Sequence, residues 1–232
     1  MGWQPARLLH SIQPDVGYPF RICLILKTIN MNTFSDEQLK QYHQDGYYLL
    51  KNLFDKEEIE LLHKSATADR TLGKQSYGRK DGEGGTEHLS LWNHPGNNIY
   101  GMFARCGRMV NRAAQILDDE VYHYHSKMIL KDARIGGAWV WHQDYGYWYQ
   151  NGVLYPNLLH RSDHNQSENP RWSMVCCYNA KSNDPYKESH HPRYTPLKKV
   201  DDNAIKKAGI SRFDKDGSDA FLNPDDDHSA TL

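Results

Sequence analysis

The chain has 232 residues, a formal net charge of −1 and 38% hydrophobic residues, with a mean hydropathy of −0.82. This length suits one domain with tails and allows a sizeable core. The absence of a basic excess argues against a general nucleic-acid binder, but a small acidic ligand stays open because one arginine can hold a carboxylate.

Cys23, Cys106, Cys176 and Cys177 make neither a disulfide framework nor a C-x-x-C metal site, so a reducing, cytoplasmic setting is expected. Mitochondrial and peroxisomal locations stay open. No segment is long and apolar enough to span a membrane, and no membrane partner is expected. Arg7, Arg21 and Lys27 give the first thirty residues a faint transit-peptide character that Pro5, Pro14 and Pro19 spoil. Residues 1–30 are expected to be a disordered extension, with Met31 opening the folded part.

From Met31 the chain becomes regular. Ser35 is a candidate N-cap for a helix that stops at Gly46, and Asp55 caps a second helix with Ile59, Leu61 and Leu62 on its buried side. Tyr47–Leu50 reads as a short strand. Residues 72–88, rich in Gly, Lys and Glu, read as a mobile loop. A third helical region spans about 98–117 and divides at Gly107. Val121–Leu130 and Ala138–His142 are strand candidates, rich in aromatic and β-branched residues. Trp172–Tyr178 is another, expected to return beside the metal strand. Residues 181–199 read as a surface arm, and from Val200 a short helix near 202–208 leads into a polar tail. Helices followed by strands indicate an α+β fold.

The chemistry lies in residues 138–172. His142-Gln143-Asp144 is an H-x-D, and residues two apart in a strand share a face. An imidazole and a carboxylate could thus meet one ion, and a further histidine would complete the two-His, one-carboxylate set of non-haem Fe(II) oxygenases. His160 and His164 are candidates. His160 has a serine two positions on, Asn165-Gln166-Ser167 beyond it, and Arg171 eleven positions on. His123, His125, His190 and His191 read as surface or packing residues.

These strings, with Phe34–Leu62 and Tyr122–Trp141, resemble the phytanoyl-CoA dioxygenase family, which includes the ectoine hydroxylases. The resemblance covers most of residues 31–200, taken as the oxygenase domain, with 201–232 as the tail. It implies N-terminal helices packed on a double-stranded β-helix, a cupin-like jelly roll. It implies His142, Asp144 and His160 as Fe(II) ligands. Arg171 and Ser162 would hold the far carboxylate of 2-oxoglutarate, with Lys127 or Lys131 adding charge there, and Trp148 would lie near substrate. O2 is the other cosubstrate, and ascorbate an accessory reductant. The implied reaction hydroxylates an unactivated C–H of a small molecule and releases succinate and CO2. The oligomeric state and the substrate are left open.

One departure stands out. Asp144 and His160 are only 16 positions apart, where the family places the middle strands of its barrel. Residues 145–159 read as a short aromatic loop with Asn151-Gly152 as a turn. They have no room for four strands of about 5–6 residues each with turns. The core is therefore expected to be incomplete, with open sheet edges. Two readings follow: a working oxygenase, or an inactive truncated variant with at most a binding role. A cupin-like zinc binder is a distant third.

Overall fold

A computed structural model describes residues 32–80, 85–134, 137–155 and 158–214, with side chains as far as Ile210. The expectation for residues 1–30 lies outside the described residues, as does the tail beyond 214. The chain divides at Asn30/Met31, and all described residues belong to the second unit.

Two capped helices open the fold. Helix α1, Asp36–Asp45, starts at Ser35 and ends at Gly46, whose left-handed φ of 79° releases the chain from the helix. Helix α2, Lys56–Ala68, starts at Asp55 with a reciprocal bond to Glu58. Tyr47–Leu50 forms no strand. Tyr47 and Leu49 are exposed, and apolar character without a partner edge makes no ladder.

Residues 72–88 are not a loop throughout. Helix α3, Arg70–Lys74, leads into β1, Tyr77–Lys80, which pairs antiparallel with β2, Thr86–Trp92. Polar residues on the exposed face of this hairpin mask its strand pattern, while Leu89 and Trp92 are buried. The third helical region divides into α4, Ile99–Arg105, and α5, Gly107–Leu117. The break is the extended residue Cys106, one before the expected glycine.

Strand β3, Val121–Lys131, pairs with β2 on one side and with β6, Arg171–Ala180, on the other. This four-stranded sheet runs β1-β2-β3-β6, and β6 pairs with nothing else among the described residues. The expectation that residues 172–178 would return beside the metal strand is therefore corrected. The metal strand β4, Trp139–His142, pairs only with β5, His160–Ser162. Helix α6, Tyr145–Gln150, occupies much of the connection between them, and no strand lies there among the described residues.

The four-stranded sheet carries a core on each face. On one, Met128 packs with Leu61, Phe103, Ile99 and Ile205, while Trp172 and Met174 join from β6. On the other, Tyr122, Tyr124, Trp148 and Val153 pack with Tyr155 and Cys177. Alternating side chains separate these sets, and a bulge at His123/His125 shifts the register once. Ile205 belongs to helix α7, Ala204–Asp214, and is fully buried. The helix expected near 202–208 is thus present, and it is packed into the body of the fold. Arg108 of α5 pairs with the buried Glu58 of α2 and with Asp202 at 3.3 Å, which ties three helical regions together.

The architecture is α+β, with two antiparallel sheets of an incomplete jelly roll. An apolar groove of about 470 Å³ lies between α2 and the core face of β6, lined by Ile59, Leu62, Trp172 and Met174.

Candidate metal and cosubstrate site

His142 closes β4 and stands directly opposite His160, which opens β5. Cross-strand partners bring their side chains together, and the two rings are 4.1 Å apart between centroids. Asp144 does not share a strand face with His142, because β4 has ended. It is the residue entering α6, in helical conformation, and that turn swings its carboxylate under both rings. His142 Nε2 lies 3.9 Å from one Asp144 oxygen and His160 Nε2 lies 3.7 Å from the other. One ligand atom from each of the three residues lies within 4.8 Å of the others.

The opposite ring nitrogens orient the set. His142 Nδ1 is 2.8 Å from the Val140 carbonyl and His160 Nδ1 is 2.9 Å from the Leu158 carbonyl. A carbonyl only accepts, so each Nδ1 carries the proton and each Nε2 turns a lone pair toward Asp144. Two neutral imidazoles and one carboxylate fit a divalent transition metal. Ligands about 2.1 Å from an ion and at right angles to one another are about 3 Å apart, so each His–Asp pair stands less than about 1 Å wider than that spacing.

The site is open on one side. Val140, Trp141, Leu158 and Leu159 around it are exposed large apolar residues. His164 stays away from the triad and contacts Gln166 at 3.1 Å. His123 and His125 are buried in packing, and no second group of three metal-binding side chains occurs among the described residues.

Beyond β5 the chain meets three of the expected cosubstrate residues. The Lys131 ammonium donates to the Ser162 hydroxyl at 3.0 Å and to the Asp163 carbonyl at 2.9 Å. The Arg171 guanidinium donates to that same carbonyl at 2.7 Å. Lys131 also pairs with Glu87 at 3.2 Å, both side chains buried. Burial pushes the Glu87 carboxyl above its usual range, while Lys131 opposes the shift. The Lys127 ammonium lies 4.9 Å from the ring centroid of Trp139, the cross-strand partner of Ser162. Trp148 is 7% exposed and packs against His125 with centroids 5.1 Å apart. Sequence reasoning missed Arg79, Glu87 and Trp139 as neighbours of the site. The alternation of Glu87, Leu89 and Leu91 was the available signal for the strand that brings Glu87 in.

Residues 42–169 match the family described as Phytanoyl-CoA dioxygenase (PhyH), more than half of the chain. The chain belongs to this family. Family relatives include the ectoine dioxygenase of Bordetella bronchiseptica, 27% identical over 173 residues, covering 68% of this chain and 56% of the relative. The chain thus spans little more than half the length of that protein. The L-proline trans-4-hydroxylase of Streptomyces griseoviridis is 33% identical over 67 residues, covering 28% of this chain and 25% of the relative. Among solved structures, EctD from S. alaskensis with 2-oxoglutarate and 5-hydroxyectoine aligns with a TM-score of 0.57 at 19% identity, covering 66% of this chain and 78% of that one. The same protein with bound Fe aligns at 0.54 and 17%, covering 75% and 84%. These likenesses show the jelly-roll fold that the two sheets here share in part.

Proposed function

We propose that this chain is an Fe(II)- and 2-oxoglutarate-dependent oxygenase that hydroxylates an unactivated C–H of a small molecule, with succinate and CO2 as coproducts. The observation that carries this reading is the pair of imidazoles locked by Val140 and Leu158, with both Nε2 atoms directed at Asp144.

In this reading His142, Asp144 and His160 would hold the iron, a donor set of two imidazoles and one carboxylate that suits Fe(II). Bound iron would supply the coupling of O2 reduction to oxidative decarboxylation of the oxo acid. The Asp144 carboxylate offsets part of the metal's charge. Arg171 and Ser162 grip the far carboxylate of 2-oxoglutarate, the guanidinium through a planar fork that matches two oxygens. Lys131, already bonded to Ser162, adds the cation there, and Lys127 is left for another role. Trp148 is assigned to packing beside the substrate region. The small-molecule substrate and its cosubstrates are the expected partners.

A second reading, an inactive truncated variant, is favoured by one observation. The triad is open to water, whereas such oxidations need a dry, enclosed site. One experiment separates the two. The purified chain is titrated with Mn(II) and 2-oxoglutarate by calorimetry, then given Fe(II), 2-oxoglutarate and ascorbate in air while succinate is followed. Metal and cosubstrate binding with succinate release supports the oxygenase. Binding without succinate, or a folded chain that takes up no metal, favours the inactive variant and sinks the oxygenase.

A further inference from the structure

The three residues of the metal triad stand on two separate supports. His142 and His160 belong to the β4–β5 hairpin, whereas Asp144 stands at the start of α6. The Trp148 amide bonds the Asp144 carbonyl at 3.2 Å and so ties Asp144 to the first turn of that helix. A helix of six residues is marginal alone. The place of the carboxylate therefore depends on what holds α6.

Residues 181–191 grip the exit of α6. The Asn183 side-chain amide donates to the Leu154 carbonyl at 2.8 Å and accepts from the Leu154 amide at 3.0 Å. One side chain thus makes both bonds that a neighbouring strand would make. Two residues earlier, the Gly152 carbonyl accepts from the Tyr186 amide at 2.9 Å, the alternate spacing of an antiparallel ladder. Gly152 has a φ of 93°, and a Cβ there would come within 3.1 Å of the Lys187 backbone. The Tyr186 hydroxyl donates to the Tyr149 carbonyl in the last turn of α6. His191, 7% exposed, meets the Tyr147 hydroxyl at 3.2 Å and the Trp148 ring with centroids 4.7 Å apart. The segment is itself anchored on the sheet. Asn179 of β6 donates to the Asn183 carbonyl at 2.9 Å and to the Tyr122 hydroxyl at 2.8 Å, and the Asn183 amide donates back to Asn179 at 2.7 Å.

We propose that residues 181–191 form a strap that positions the metal-binding carboxylate, with Asn183 and Tyr186 as its positioning residues. This rests on the reading of His142, Asp144 and His160 as metal ligands. The hairpin fixes the two imidazoles relative to each other, and the strap fixes Asp144 relative to them. Asn183 and Tyr186 act through the end of α6. Trp148, held between His191 and His125, passes that placement to Asp144 through its amide. The strap supplies to this connection the backbone partners that a further strand would otherwise give it. Metal affinity is then set in part by side chains that touch no ligand.

The test titrates the full chain with Co(II), whose visible absorption reports ligand set and geometry, and follows folding by thermal melting. Asn183→Ala is expected to weaken Co(II) about three- to tenfold, less than the 10–100-fold typical of losing a partner bonded directly to a ligand. Its absorption band should change as well. Tyr186→Phe removes one hydrogen bond and is expected to weaken Co(II) about twofold or more. Gly101→Ala controls for lost stability alone, because it lies in α4 within the core on the other face of the sheet. It should melt earlier and keep the parental affinity and band. The strap is overturned if a folded Asn183→Ala binds Co(II) with the parental affinity and band. Where Asn183→Ala does not fold, the same result for Tyr186→Phe overturns it. So does a Gly101→Ala variant that loses as much affinity as the strap variants. A parent that binds Co(II), with the losses expected of its variants, but releases no succinate with Fe(II) and 2-oxoglutarate sinks the oxygenase reading and leaves the strap standing. A folded parent that takes up no Co(II) sinks the strap.

Discussion

The Lys131 ammonium and the Ser162 hydroxyl meet at 3.0 Å, and that bond ties the four-stranded sheet to the two-stranded one. The hairpin of β4 and β5 has only two paired positions of its own, Trp139 with Ser162 and His142 with His160. A ribbon this short is marginal alone, so its place depends on such ties. Lys131→Met removes the tie and leaves Glu87, 1% exposed, as an uncompensated buried carboxylate. The expected loss is about 3–5 kcal/mol in urea denaturation. The double variant Lys131→Met with Glu87→Gln should recover part of it. A single variant as stable as the parent would show that the tie carries no weight.

Removing one imidazole should remove the metal. His142→Ala and His160→Ala are each expected to lower Mn(II) affinity by more than about 100-fold, beyond the range typical of losing an outer hydrogen bond. His164→Ala should change nothing, because that ring faces Gln166. Calorimetric titration of the three variants checks this order, and equal affinity across them would refute the ligand assignment.

Arg171→Ala is expected to weaken 2-oxoglutarate by about 10–100-fold, the worth of a hydrogen bond to a charged group, with Mn(II) affinity unchanged. The same titration with 2-oxoglutarate measures it. A loss of metal affinity instead would mean that Arg171 acts by holding β5 through the Asp163 carbonyl.

Acid should destabilise the fold through its buried histidines. Burial holds His123 and His191 down at about 4 and His125 at about 3, against an unfolded value near 6.5. Below pH 6.5 the unfolded chain takes up protons that the folded chain refuses, so stability falls as pH drops toward 4. Each histidine can withdraw up to about 1.4 kcal/mol per pH unit in that window. Denaturation midpoints at pH 7 and 5.5 test the slope, and His125→Phe should flatten it. A midpoint that rises on acidification would contradict the burial of these rings.

Gly101 reverses a general rule. In a helix interior, glycine to alanine usually stabilises by about 1 kcal/mol. Here a Cβ would land on the carbonyl oxygens of Pro95 and Gly96. Gly101→Ala is expected to cost about 1–3 kcal/mol instead, as overpacking does. Thermal melting gives the sign directly.

The helix starts at Ser35 and Asp55 were legible because a cap is a local event, settled by one oxygen and the next three residues. The pairing of His142 with His160 was legible only as a ligand pattern, and its geometry has another origin than a shared strand face. Asp144 works through the turn into α6, which the aromatic run Tyr145–Gln150 concealed. The β1–β2 hairpin was hidden because a half-exposed strand needs few apolar residues, and its stability comes from β3, some forty residues away in sequence. Tyr47–Leu50 failed for the converse reason: it has strand-like composition and no neighbour to pair with.

Strand β6 carries one charged side chain, Arg171, and no proline along its ten residues. No strand among the described residues pairs with its other side. Such a strip is adhesive, because any extended segment can lay its own amides and carbonyls against it. The apolar groove alongside would then shelter that segment's side chains. A long edge without proline and with a single charge is the kind on which strand-to-strand association would begin.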